Sequence, residues 1–153
     1  LDFFAELKDV GNFLPVDPTP ATIASGQTPV VIDWDYSNAA QSEALAGQRD
    51  WQVVVPQEAL VSSYYVQAIN KDAPHPAAAR LWQEFLYSDE GQNLWLKGYG
   101  RPVREAAMVE AGTIDEAAYD KLPEVSGEPV TLTEEQTAKA GGYLAANWQQ
   151  AIS

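Results

Sequence analysis

At 153 residues the chain has the length of one ordinary domain, and its 46% apolar content is normal for a globular fold. Nine basic against twenty-two acidic residues leave a net charge of −13, which makes nucleic acid a poor partner because phosphate binding needs a basic face. The absence of cysteine removes disulfides and thiolate metal sites, no apolar run nears the ~20 residues that span a bilayer, and the first residues lack the pattern of an export signal. The acidity reads either as solubility or as a field that concentrates cations near a cleft.

Residues 1–12 read as a helix, with Phe3, Phe4, Leu7 and Val10 at three- and four-residue steps and Gly11 as a stop. A helix that starts at the first residue with no cap before it suggests a boundary cut through a larger protein. Residues 13–19 form a proline-rich linker. Thr19 and Pro20 then open a short helix that ends at Gly26.

Residues 29–34 are apolar without alternation, the pattern of a strand covered on both faces in a parallel sheet. Ser37 is the expected cap of a small-residue helix that runs to Ala46 and closes at Gly47. Residues 52–55 and 61–69 read as two further strands. In the second, Ser63, Tyr65 and Gln67 share one face and Tyr64, Val66 and Ala68 the other.

Helical signals fill the remainder. Over residues 77–87, Ala78, Leu81, Trp82, Phe85 and Leu86 make one apolar stripe. Ser88 caps a following helix, with Asp89 and Glu90 in its first turn, Leu94 and Trp95 directed inward and Gly98 at its end. Thr113 with Glu116, and Thr133 with Gln136, have capping-box spacing and predict helices over 114–122 and 134–152. Gly141 and Gly142 weaken the second of these by about 1 kcal/mol each. Three strands beside so many helices is a poor ratio for an independent α/β domain, because parallel strands need both faces and both edges covered.

Little in the chain carries chemistry. His75 lies between two prolines and reads as a residue leading into a helix rather than a base or ligand. No serine sits in a nucleophile elbow, and Gly98 and Gly100 follow a helix, not the strand that a phosphate loop needs. No catalytic residue, cofactor site or resident metal site is assigned. An enzyme using the aspartates would need a second ligand cluster and a base, and neither is evident.

Three constellations are candidate ligand contacts. Asp33, Trp34, Asp35 and Tyr36 lie at the carboxyl end of the first expected strand, where open α/β sheets bind ligands. Two carboxylates, an indole and a phenol can receive an ammonium or guanidinium group, or the oxygen donors can hold a hard metal ion. The competing reading makes Trp34 core and the aspartates helix caps. Tyr64 and Tyr65 are second; they point to opposite faces, so one at most meets a given cleft. Third are Tyr99, Arg101 and Arg104, where the arginines either grip an anion or neutralise a helix end.

Residues 74–92, a helix pair with a Ser-x-Glu-Gly-Gln junction, and residues 23–33, leading into the first expected strand, resemble the extracellular solute-binding proteins of ABC transporters. The likeness is to the branch that carries ferric iron, polyamines, thiamine and phosphonates. It implies an α/β fold of the type II periplasmic-binding-protein kind. The fold would be incomplete here: residues 1–58 end the second lobe, and 59–153 supply the crossover strand and the helical C-terminal part of the first.

The resemblance further implies a small-molecule solute, ABC permease subunits as membrane partners, and a periplasmic or extracellular location with the export signal upstream. Asp33, Trp34, Asp35, Tyr36, Tyr65, Tyr99 and Arg101 would be the solute contacts. The paired aspartates favour a cationic or amine-bearing solute. A phosphonate-type anion, ferric iron and a solute-sensing regulatory domain are the alternatives. Where ferric-iron members carry a tyrosine pair, this chain has Asp35 and Tyr36; where polyamine members carry Trp and Asp, it has Ser63 and Tyr65.

Overall fold

The computed structural model describes residues 1–153, the side chain of Ala59 excepted. The chain divides into two compact units, one of Leu1–Ile32 with Pro129–Ser153 and one of Asp33–Glu128.

The first unit holds helices α1 (Asp2–Asp9), α2 (Pro20–Ser25) and α8 (Glu134–Ile152). The apolar stripe read over residues 1–12 brings α1 onto α8, with Phe4 5.2 Å from Trp148 and Phe13 6.1 Å from it, edge to face. Helix α2 is closed at both ends. The Thr22 N–H donates to the Thr19 hydroxyl at 3.2 Å, the Thr19 N–H donates to the Thr22 hydroxyl at 2.9 Å, and Gly26 takes φ 79 at the C-cap. The expected capping box of α8 is also present, through Thr133 and Gln136. The two glycines in its middle do not interrupt it.

The second unit contains α3 (Asp35–Ala44), a single 3-10 turn (Gln57–Ala59), α4 (Pro76–Tyr87), α5 (Asp89–Lys97), α6 (Glu105–Ala111) and α7 (Glu116–Tyr119). Helix α5 is its hub and contacts both α4 and α7. The Ser88-to-Gln92 junction has a stereochemical reason at several positions. Ser88 accepts the Gly91 N–H at 3.1 Å and donates to the Phe85 carbonyl at 2.6 Å, so one hydroxyl ends α4 and starts α5. Gly91 packs directly on the end of α4, where a β-carbon would stand 2.1 Å from the Phe85 carbonyl oxygen. Gln92 is buried and donates to the Leu86 carbonyl at 2.7 Å, while its own oxygen accepts the Arg104 N–H at 3.4 Å. In the same unit, Leu96 of α5 and Met108 of α6 are the large side chains that are fully buried.

Several expectations need correction. Among the described residues no strand of two or more paired residues forms, and the stretches 29–34, 52–55 and 61–69 are irregular. Val30, Ile32, Val54 and Val66 are 76–88% exposed, whereas the sheet of the expected α/β fold would bury them. Strand preference is largely packing against pleated neighbours, and these segments find none within their units. On the same ground Leu81, Trp82, Leu94 and Trp95, expected to face inward, are about half exposed or more. Ser37 is not a cap: α3 already begins at Asp35, with Trp34 at the N-cap position. Nor does Thr113 cap α7. Asp115 does so, accepting the Ala118 N–H at 3.2 Å, and Asn93 fixes it by accepting its N–H at 2.9 Å.

Candidate functional site

The candidate residues around α3 are placed by backbone bonding. Trp34 at the N-cap position offers no side-chain acceptor, and the flanking aspartates bond locally instead. One oxygen of Asp33 accepts the Trp34 N–H at 2.7 Å, and one oxygen of Asp35 accepts the Tyr36 N–H at 2.9 Å. Asp35 also lies in the first turn of α3, where negative charge suits the helix dipole. Trp34 is not core; it is 46% exposed.

This turn meets a second candidate. The Tyr36 and Tyr65 hydroxyl oxygens lie 2.6 Å apart, although the residues are 29 positions distant in the chain. The Tyr36 phenol is raised above its ordinary range, first by that hydrogen bond, then by partial burial, by electrostatic interaction with Tyr65 and by the nearby Asp33 carboxylate. Ser37 hydrogen-bonds it and pulls weakly the other way. Tyr65 itself is mostly exposed, as is Tyr64. The result is an open surface carrying two phenols, two carboxylates and an indole.

The third candidate group is engaged elsewhere. Tyr99 adopts φ 65 between Gly98 and Gly100 at the end of α5, and its N–H donates to the Leu96 carbonyl at 2.9 Å. Tyr99 lines a cavity of about 270 Å³ together with Glu43, Lys97, Asp115 and Lys121. The charges there are paired, Lys97 with Asp115 at 3.5 Å and Lys121 with Glu43 at 3.4 Å. Arg101 donates to the Pro123 carbonyl at 2.5 Å and lies 3.8 Å from Glu105. Arg104 donates to Asp89 at 2.6 Å and to the Tyr87 carbonyl at 2.7 Å, which ties its guanidinium to the α4–α5 junction. Hence Tyr36 meets Tyr65, with Asp33, Trp34 and Asp35 just before Tyr36 in the chain, whereas Tyr99 and Arg101 make their contacts around the end of α5.

Asn38 and Trp51 were not among the candidates. The Asn38 amide donates to the Trp34 carbonyl at 3.2 Å and accepts the Trp51 indole N–H at 3.3 Å. Its position one helical turn after Trp34 is the only signal in the sequence, and it is a weak one. Among the described residues, no three of His, Cys, Asp and Glu converge in a metal-ligand group. No helix there is long and apolar enough to cross a membrane.

The sequence profile of the bacterial extracellular solute-binding proteins matches residues 1–123, and the chain belongs to that family. Its role is to bind a solute. No curated protein matches the chain.

Proposed function

We propose that the chain is the solute-binding component of an ABC importer, acting at the periplasmic or extracellular face and delivering its solute to membrane permease subunits. The solute is small and cationic or amine-bearing. It is gripped by Asp33, Trp34, Asp35, Tyr36 and Tyr65, with Tyr99 as an outlying contact, and Arg101 would contact only an anionic solute. Residues 1–58 belong to the second lobe and 59–153 to the crossover and first lobe, and the lobes close around a ligand that touches both. No bond is made or broken.

The observation that carries this reading is the 2.6 Å approach of Tyr36 to Tyr65, which joins the turn after the first expected strand to the expected crossover segment. Around it the charge is negative and the exposed rings are electron-rich, which suits an organic cation. The engagement of Arg101 by Pro123 and Glu105 speaks against an anion, since a solute carboxylate or phosphonate would have to displace both.

Ferric iron is the second reading, as cargo rather than cofactor. Two phenol oxygens and nearby carboxylates are the hard donors that such an ion takes. Isothermal titration with amines, ferric citrate and phosphonates separates these readings. Amine binding lost in Asp35→Ala and kept in Arg101→Ala supports the cationic solute. A visible phenolate-to-iron absorption on adding ferric citrate, lost in Tyr65→Phe, favours iron. Phosphonate binding lost in Arg101→Ala would refute both.

A further inference from the structure

We infer that the cavity bounded by α3, α5 and the α7 region is a second binding site, suited to a small zwitterion of amino-acid size. It shares only Tyr99 with the proposed solute surface and does not rest on that reading. Glu43, its residue from α3, lies two helical turns beyond Tyr36, about 10 Å along the helix axis.

The charges around the cavity are balanced but not closed on one another. Lys97 stands 3.5 Å from Asp115 and Lys121 stands 3.4 Å from Glu43. A charge-assisted bond normally closes to about 2.7–2.9 Å. Arg104 and Asp89 of the same unit do close, at 2.6 Å. Lys121 and Glu43 are each more than half exposed, so parting them costs little. Asp115 is the fixed point. Its Oδ1 accepts the Ala118 N–H at 3.2 Å and its own N–H donates to Asn93 at 2.9 Å, while Oδ2 is the oxygen nearest Lys97.

Two cations and two carboxylates around one cavity disfavour a simple ion. An anion that draws the lysines to itself leaves Glu43 and Asp115 without their partners, and a cation does the reverse. A zwitterion replaces each lost contact with one of the same kind. Its ammonium takes Glu43 and Asp115, and its carboxylate takes Lys97 and Lys121. The cavity, about 270 Å³, has room for an amino acid and is smaller than the usual site for a drug-sized ligand.

Tyr99 gives the cavity a wall that the helix end alone does not require. Its N–H donates to the Leu96 carbonyl and the Gly100 N–H donates to the Trp95 carbonyl, the bonding of a Schellman motif, whose left-handed position is usually glycine. Here tyrosine occupies that position at φ 65, although a glycine stands on either side of it. Strain of this kind collects at ligand clamps, and Tyr99 lines this cavity.

Isothermal titration of the full chain with β-alanine and γ-aminobutyrate tests the site, in wild type and in Asp35→Ala, where the proposed amine surface is silenced. In Asp35→Ala, γ-aminobutyrate should bind on the order of tenfold more tightly than n-butylamine or butyrate, its two halves. Glu43→Gln and Lys121→Gln should each weaken it on the order of tenfold, and both side chains are exposed enough for the fold to tolerate the change. Tyr99→Gly, which suits the left-handed backbone, should fold and bind more weakly.

A wild-type chain that binds neither zwitterion overturns the site. So does binding that is lost in Asp35→Ala, that is no tighter than for the two halves, or that survives unchanged in Glu43→Gln and Lys121→Gln. Failure of amines and ferric citrate to bind, with γ-aminobutyrate still bound, overturns the proposed function and leaves this site standing.

Discussion

Tyr36 and Tyr65 share one short hydrogen bond, and its geometry sets how the site responds to pH. The bond holds a phenol in its protonated form, which is why Tyr36 is raised above its ordinary range. The group titrates higher folded than unfolded. Its contribution to stability is therefore complete below the unfolded tyrosine range, near ~10, and is lost as pH rises through the folded value. Tyr65→Phe should bring Tyr36 back towards its ordinary range and remove this alkaline loss. Parallel pH-dependent melts of the two proteins check the prediction, and an unchanged alkaline limb in the variant would contradict it.

Gly91 offers the sharpest stability prediction. A β-carbon there would meet the Phe85 carbonyl oxygen at 2.1 Å and the Leu86 α-carbon at 3.0 Å, all backbone atoms of a helix end that cannot rotate away. Gly91→Ala should cost about 1–3 kcal/mol through overpacking, despite the better helix propensity of alanine. Gly141→Ala tests the opposite case, because nothing lies within 4 Å of its added carbon inside α8. That change should stabilise by up to about 1 kcal/mol. Urea midpoints for the pair, moving in opposite directions, would bear this out.

Met108 and Leu96 are the two large side chains fully closed off from solvent. Met108→Ala should lower stability by about 2–5 kcal/mol, the range for emptying a close-packed site. Val109→Ala, next to it but 49% exposed, should cost far less. The contrast between neighbours is read from denaturant unfolding.

The local signals in the sequence were dependable where they concern groups within four residues of one another. Ser88 and Thr133 cap the helices that their spacing announces, and Thr19 with Pro20 opens α2. Where two signals competed at short range the nearer aspartate won, so that Asp35 begins α3 ahead of Ser37 and Asp115 caps α7 in place of Thr113. Inward and outward faces were less legible. Leu81, Trp82, Leu94 and Trp95 carry the right period, but burial depends on what lies opposite, and periodicity cannot supply that. The three expected strands failed for the same reason, since a ladder is a property of pairs. In the candidate site, Asp33, Trp34, Asp35, Tyr36 and Tyr65 could be named as candidates from the sequence, whereas the 2.6 Å meeting of Tyr36 with Tyr65 and the bond from the Trp51 indole to Asn38 join residues 29 and 13 positions apart, which no local pattern announces.

The exposed strand-like segments carry a last prediction, about association. Val66 is 88% exposed, Tyr64 71% and Val54 76%, in runs whose β-branched and aromatic side chains pack well on a pleated neighbour. Unpaired backbone beside apolar side chains is a template for another strand, so this chain should self-associate as its concentration rises. Val66→Lys should suppress that association, because a charge in such a run resists burial against a second copy. Net repulsion cannot be the cause, since the added lysine makes an acidic chain less negative and would by itself favour contact. Light scattering across a concentration series reads the outcome. A wild-type chain that stays monomeric throughout, or a Val66→Lys variant that associates equally, would show that these segments find their partners within the chain itself.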